Sequence, residues 1–205
     1  MNKLLVSLLL TLGVTGAANA AGNLVGDAAA GQGKTAVCGA CHGPDGNSMA
    51  PNFPKLAGQG EKYLEKQLHD IKSGKRTVLE MTGLLTNLSD QDMADIAAYF
   101  ASQKGSVGAA DPKLVAQGEA LFRGGNLDKG MPACTGCHSP NGAGLAAAGF
   151  PHLGGQHSQY VAKQLTDFRE GNRTNDGDAM TMRSIAAKLS NKDIEAVSSY
   201  IQGLH

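Results

Sequence analysis

Cys38-Gly39-Ala40-Cys41-His42 places two thiols three residues apart and an imidazole directly after the second. Covalent haem attachment requires this spacing. Each thiol adds to one vinyl group of a porphyrin, and the adjacent imidazole is held under the iron, so Cys-x-x-Cys-His reads as a c-type haem site. The pattern returns as Cys134-Thr135-Gly136-Cys137-His138. The two copies use all four cysteines of the chain, which leaves none for a disulfide or a catalytic thiol. A zinc ribbon would bring its two Cys-x-x-Cys knuckles within roughly 15–20 residues of each other, whereas these begin 96 residues apart. A thioredoxin-type motif would sit on a βαβ unit, and no strand pattern flanks either copy. Two covalently attached haem c groups, each with iron, are therefore expected. Cys38 and Cys41 would hold one and Cys134 and Cys137 the other, with His42 and His138 as iron ligands.

The first twenty residues have a separate purpose. Lys3 supplies a positive start, Leu4 to Val14 an apolar run, and Ala18-Asn19-Ala20 a small-residue cleavage site. This reads as a secretory signal peptide over residues 1–20, too short to span a bilayer. It implies the periplasm, and bacterial haem attachment to Cys-x-x-Cys-His occurs outside the cytoplasmic membrane, so leader and motif agree. Lys and Arg total 18 against 18 Asp and Glu, without a long basic run, so nucleic acid binding is not indicated. Aromatic residues make up only 4% of the chain and tryptophan is absent, which leaves a weak core. Two buried porphyrins would supply much of the missing apolar area, so the apoprotein is expected to fold poorly.

The chain is one unit written twice. Phe53-Pro54-Lys55-Leu56-Ala57-Gly58-Gln59 recurs as Phe150-Pro151-His152-Leu153-Gly154-Gly155-Gln156. Tyr63, Gln67, Leu68, Asp70, Gly74, Arg76 and Thr77 match Tyr160, Gln164, Leu165, Asp167, Gly171, Arg173 and Thr174 in the same order. The reading is all-α: two tandem homologous helical domains, at 21–102 and 111–205, joined by a Gly/Ala-rich linker at 103–110. Asp27 is expected to cap an Ala-rich helix running into Cys38. Middle helices are expected over 60–73 and 158–170, and Asp111-Pro112 is expected to start a helix in the second unit. Ser89 with Asp92, and Ser190 with Asp193, resemble capping boxes. Residues 124–132 are extra in the second unit and are expected to form a surface loop.

The second axial position on each iron decides the chemistry. An open position binds oxygen or peroxide, whereas methionine sulfur closes it and raises the potential. Met49 lies too near His42 to reach the opposite haem face, and Met93 falls in an apolar helical stripe. Met81 lies between helices and is expected to be the first unit's ligand. In the second unit Met182 precedes Leu189 by seven residues, as Met81 precedes Leu88, so Met182 is the match and Met180 its competitor. His69, His152, His157 and His205 read as surface histidines. Pro54 and Pro151 follow the histidines in register, and their carbonyls are candidate acceptors for the second ring nitrogen. Arg76 and Arg173 read equally as propionate partners or as solvated charges at helix ends.

These residues resemble the cytochrome c4 family, dihaem class I c-type cytochromes of Gram-negative bacteria. The resemblance rests on the two haem motifs, the paired Phe-Pro-x-Leu-x-Gly-Gln loops, Met81-Thr82-Gly83 through Leu88-Ser89-Asp90, and the final Ser199 to Leu204. It implies two domains packed about a pseudo-twofold axis with their haems near the interface. It also implies a periplasmic electron carrier between respiratory complexes: a quinol-oxidising, cytochrome bc1-type donor and a terminal oxidase acceptor. The expected protein is a monomer, not an enzyme, and some members of the family associate peripherally with the membrane. A dihaem peroxidase, or a haem subunit of a larger oxidoreductase, is the alternative. A peroxidase needs one iron that opens, and both units here offer a methionine.

Overall fold

Asp27 opens the first helix by accepting from the backbone N–H groups of Ala29 and Ala30. The structure, a computed structural model, describes residues 24–205; the leader assigned to 1–20 lies outside the described residues. Helix α1 (Ala28–Gln32) stops after five residues, and a turn separates it from α2 (Ala36–His42), which carries the first haem motif. The single Ala-rich helix expected from Asp27 to Cys38 is therefore two. Gly31-Gln32-Gly33 has too little helix propensity to carry the helix through.

The first unit continues with α3 (Glu61–Lys72), a 3₁₀ turn at Leu79–Met81, and α4 (Asp90–Ser102). The second contains α5 (Val115–Gly124), α6 (Thr135–His138), a 3₁₀ turn at Ala146–Ala148, α7 (Ser158–Glu170), α8 (Thr181–Ala186) and α9 (Asn191–Gly203). The described residues contain no strand, only two isolated bridges, so the all-α reading holds. Both capping boxes form, with Ser89 and Ser190 each exchanging bonds with the aspartate three residues on. Asp111 does not cap α5. Its carbonyl accepts from Leu114 N–H, which closes a separate turn before the helix begins at Val115.

The first helix of each unit crosses the last, α1 on α4 and α5 on α9. Glycine sits at both crossings. A β-carbon on Gly31 would lie 2.0 Å from Asp95 O, and one on Gly118 would lie 2.3 Å from Ala196 O. Both clashes are with backbone, which cannot swing aside. Gly118→Ala is therefore expected to destabilise the second unit by about 1–3 kcal/mol, the usual cost of overpacking. Gly124→Ala, where a β-carbon meets nothing within 4 Å, serves as the control. Equal melting temperatures for the two variants would refute the close crossing.

Around this frame α3 packs on α4, and α7 packs on both α9 and α8. Met93, Ile96, Ala97 and Phe100 are buried on one stripe of α4, and Ile194, Val197 and Ile201 on the matching stripe of α9. The extra residues 124–132 form more than a surface loop. Asn126 and Met131 pair as a small antiparallel bridge, which leaves Leu127 at the tip 90% exposed and sends Met131 into the second core at 2%.

Candidate haem-binding sites

Helix α2 ends on His42 and α6 on His138, and each ring is 7% exposed. The Phe-Pro-x-Leu loops close over them. His42 Nδ1 lies 2.9 Å from the Pro54 carbonyl, and His138 Nδ1 lies 3.0 Å from that of Pro151. A carbonyl can only accept, so Nδ1 carries the proton and donates. In the neutral ring this leaves Nε2 with a free lone pair, the form a metal takes. Burial pushes both imidazoles below their ordinary pKa and the proline carbonyls oppose it, so the neutral form prevails at physiological pH.

The first thiol of each motif is kept protonated as well. Burial raises Cys38, and it pushes Cys134 up to about 11. Such groups are poor nucleophiles and poor disulfide formers at neutral pH. Cys38 borders the first core cluster and Cys134 the second.

Met81 closes the 3₁₀ turn after α3. It lines an open cleft of about 380 Å³ together with Ile71, Val78 and Leu85. Met182 occupies the first turn of α8, is half-buried, and packs on the same core cluster that Cys134 borders. Met182 thus stands in a short helix, whereas its counterpart Met81 stands in a 3₁₀ turn. Arg183 pins the start of α8 by donating from its backbone N–H and from Nε to the Asp176 carboxylate, at 2.9 and 2.7 Å. Met180 stands just outside this helix, 48% exposed, with a left-handed backbone at φ 48°. Met49 is 93% exposed.

The two arginines are not solvated helix-end charges. Arg76 and Arg173 meet across the seam between the units, with Arg173 only 8% exposed. Arg76 donates to Gln67 Oε1, Gln164 Oε1 and the Tyr160 hydroxyl. Arg173 donates to the same two glutamine oxygens and to the Tyr63 hydroxyl, and lies over the Phe168 ring. Among the described residues no carboxylate pairs with either guanidinium.

His152 and His157 also lie on the seam rather than at a free surface. His152 exchanges backbone bonds with the Gln59 side chain, and His157 Nε2 lies 2.9 Å from both Ser48 Oγ and Ser48 O. Sequence reasoning missed this polar seam. Its only signal was the recurrence of Tyr63, Gln67 and Gln59 in register as Tyr160, Gln164 and Gln156.

These groups fit a covalently bound haem. Each unit presents a pair of thiols, a buried imidazole with a free lone pair, and a thioether. Between the units lie two largely buried cations that form no ion pair with a carboxylate among the described residues, and a haem carries two carboxylates.

The cytochrome c family model matches residues 28–104 and again 115–205. Cytochrome c4 of Pseudomonas aeruginosa is 82% identical over 205 residues, which cover all of both chains. The crystal structure of reduced recombinant cytochrome c4 from Pseudomonas stutzeri superposes with a TM-score of 0.87 at 75% identity, covering 88% of this chain and all of the other. A protein of Stutzerimonas stutzeri described as a thiosulfate dehydrogenase electron acceptor is 37% identical over 168 residues, 80% of this chain and 77% of that one. The chain belongs to the cytochrome c family, as two tandem domains of that fold, and within it to the cytochromes c4. It is an electron-transfer protein, and its cofactor is haem c. Among the described residues no helix is long and apolar enough to cross a membrane.

Proposed function

We propose that this chain is a dihaem periplasmic electron carrier with two His/Met-coordinated irons, His42 with Met81 and His138 with Met182. One haem is linked through Cys38 and Cys41 and the other through Cys134 and Cys137. The observation that carries the reading is the pair of buried imidazoles, each at the end of a Cys-x-x-Cys-His helix with Nδ1–H given to a proline carbonyl. A haem bound here supplies a one-electron ferric/ferrous couple. The chain's residues do the rest. The cysteines would hold the porphyrin, the histidines would offer Nε2, and the methionines would keep peroxide and oxygen from the iron. Arg76 and Arg173 would compensate the charge of haem propionates reaching the seam.

The proposed partners are a quinol-oxidising, cytochrome bc1-type donor and a terminal oxidase acceptor, met by a monomer through transient contacts. The relative described as an acceptor for thiosulfate dehydrogenase supports a wider choice of donor within the same role.

Reductive titration of the holoprotein under anaerobic conditions tests the reading. Uptake of two electrons per chain, with no turnover of hydrogen peroxide after reduction, is expected. One electron per chain would remove the second site, and sustained peroxide turnover would make the protein a peroxidase.

A further inference from the structure

A single peptide group stands between each candidate axial histidine and the opposite unit. The carbonyl that accepts from His42 Nδ1–H is that of Pro54, 2.9 Å away. The N–H of the same peptide group belongs to Lys55, and it donates to Gln156 Oε1 in the second unit at 2.9 Å. Gln156 Nε2 donates back to the Lys55 carbonyl at 2.9 Å. The second unit answers in kind. His138 Nδ1–H donates to Pro151 O at 3.0 Å, His152 N–H to Gln59 Oε1 at 2.7 Å, and Gln59 Nε2 to the His152 carbonyl at 2.9 Å. Gln59 and Gln156 are each 7% exposed. Each also accepts from the backbone N–H of the following residue, so its side chain is fixed from both ends.

We propose that Gln59 and Gln156 are positioning residues that tune the axial histidine of the opposite unit, so that the potential of each iron depends on the docking of the other domain. This rests on His42 and His138 being the iron ligands. The physical link is the polarisation of an amide. An amide whose N–H donates a hydrogen bond carries more negative charge on its oxygen, and bonds in such a chain strengthen one another. A stronger acceptor at Pro54 draws the Nδ1 proton further from His42 and makes Nε2 more basic. A more basic ligand favours ferric iron and lowers the potential. Gln156 therefore holds down the potential of the haem on His42, and Gln59 that of the haem on His138. The effect is crossed, because each glutamine acts on the unit to which it does not belong. A clamp that only held the units together would have no such pattern.

The experiment uses the full-length holoprotein carrying Gln156→Ala or Gln59→Ala. Proton NMR of the reduced state reads each Nδ1–H, and a redox titration followed by NMR reads each haem separately. Gln156→Ala is expected to move His42 Nδ1–H upfield and raise the potential of that haem, with His138 and its haem unchanged. Gln59→Ala is expected to do the reverse. Gln156→Glu keeps an acceptor and strengthens it, so it shifts His42 Nδ1–H downfield, and it serves if the alanine variant folds poorly. A shift confined to the haem of the substituted unit, an equal shift of both haems, or no shift in either overturns the proposal. Ligation is read separately, from the ring-current-shifted imidazole protons of a haem-bound histidine. Their absence would sink the assignment of the ligands, whereas their presence with an unmoved Nδ1–H would sink the relay alone.

Discussion

Met182→His is expected to halve the iron–sulfur charge-transfer intensity of the oxidised protein, read by absorption and magnetic circular dichroism, and Met180→His to leave it whole. Two observations support Met182 over Met180 as the proposed ligand. Met182 stands seven residues before Leu189, as Met81 stands before Leu88. It is also half-buried against the core cluster that Cys134 borders. Met180 is 48% exposed, in a left-handed conformation that costs a residue with a β-carbon about 1 kcal/mol or more. That backbone starts α8, and Arg183 holds the same turn through Asp176 and the carbonyls of Thr174 and Gly177. A shift of two residues to bring Met180 inward would break those bonds. Because thioether sulfur raises the potential relative to a second imidazole, Met182→His also lowers the potential of one haem and spares the other. Loss of half the signal in Met180→His, with Met182→His unaffected, would reverse the assignment.

The parts of this protein that could be read from sequence are those set by local chemistry or by repetition. The middle helix α7 spans the expected Ser158–Glu170 and is closed by left-handed Gly171, and both capping boxes follow from a serine and an aspartate three residues apart. Pro54 and Pro151 could be singled out as acceptors because they recur in register after their histidines. The seam is different. Tyr63, Gln67 and Arg76 are polar residues on or after an amphipathic helix, and in one unit alone they look solvated. They become buried only because the other unit presents the same set, and no property of a single helix announces that. His152 and His157 were misplaced at the surface for the same reason. Their partners Gln59 and Ser48 lie about a hundred residues away. The break between α1 and α2, and the turn before α5, were missed for local reasons. Gly31 and Gly33 weaken a helix that alanine content favours, and the Asp111 carbonyl is taken by Leu114 N–H before an α-helical turn can form.

Removing the haems should unfold the two units unequally, the first much further than the second. Leu64, Leu85, Met93, Ile96 and Phe100 are the large apolar side chains buried in the first unit. The second buries more than twice as many, among them Phe122, Met131, Phe168, Ile194, Val197 and Ile201. Part of the difference is Met131, which enters the core from the hairpin that the first unit lacks. The two units are similar in length, so the conformational entropy lost on ordering them is similar. The apolar burial that offsets it is not. Each fully buried large side chain contributes about 1.5–3 kcal/mol, so two such side chains already amount to on the order of a hundredfold in an unfolding equilibrium. The first unit must therefore draw more of its stability from the porphyrin and from the seam. Cys38→Ala with Cys41→Ala, which prevents attachment in the first unit only, is expected to lower amide-exchange protection across α3 and α4 by on the order of a hundredfold or more, while α7 and α9 stay protected. Cys134→Ala with Cys137→Ala should cost the second unit distinctly less. Equal loss of protection in the two pairs of variants would mean that the cores contribute alike. Collapse of both units in either variant would mean that the seam, with its two arginines and its exchanged glutamines, couples them into one folding unit.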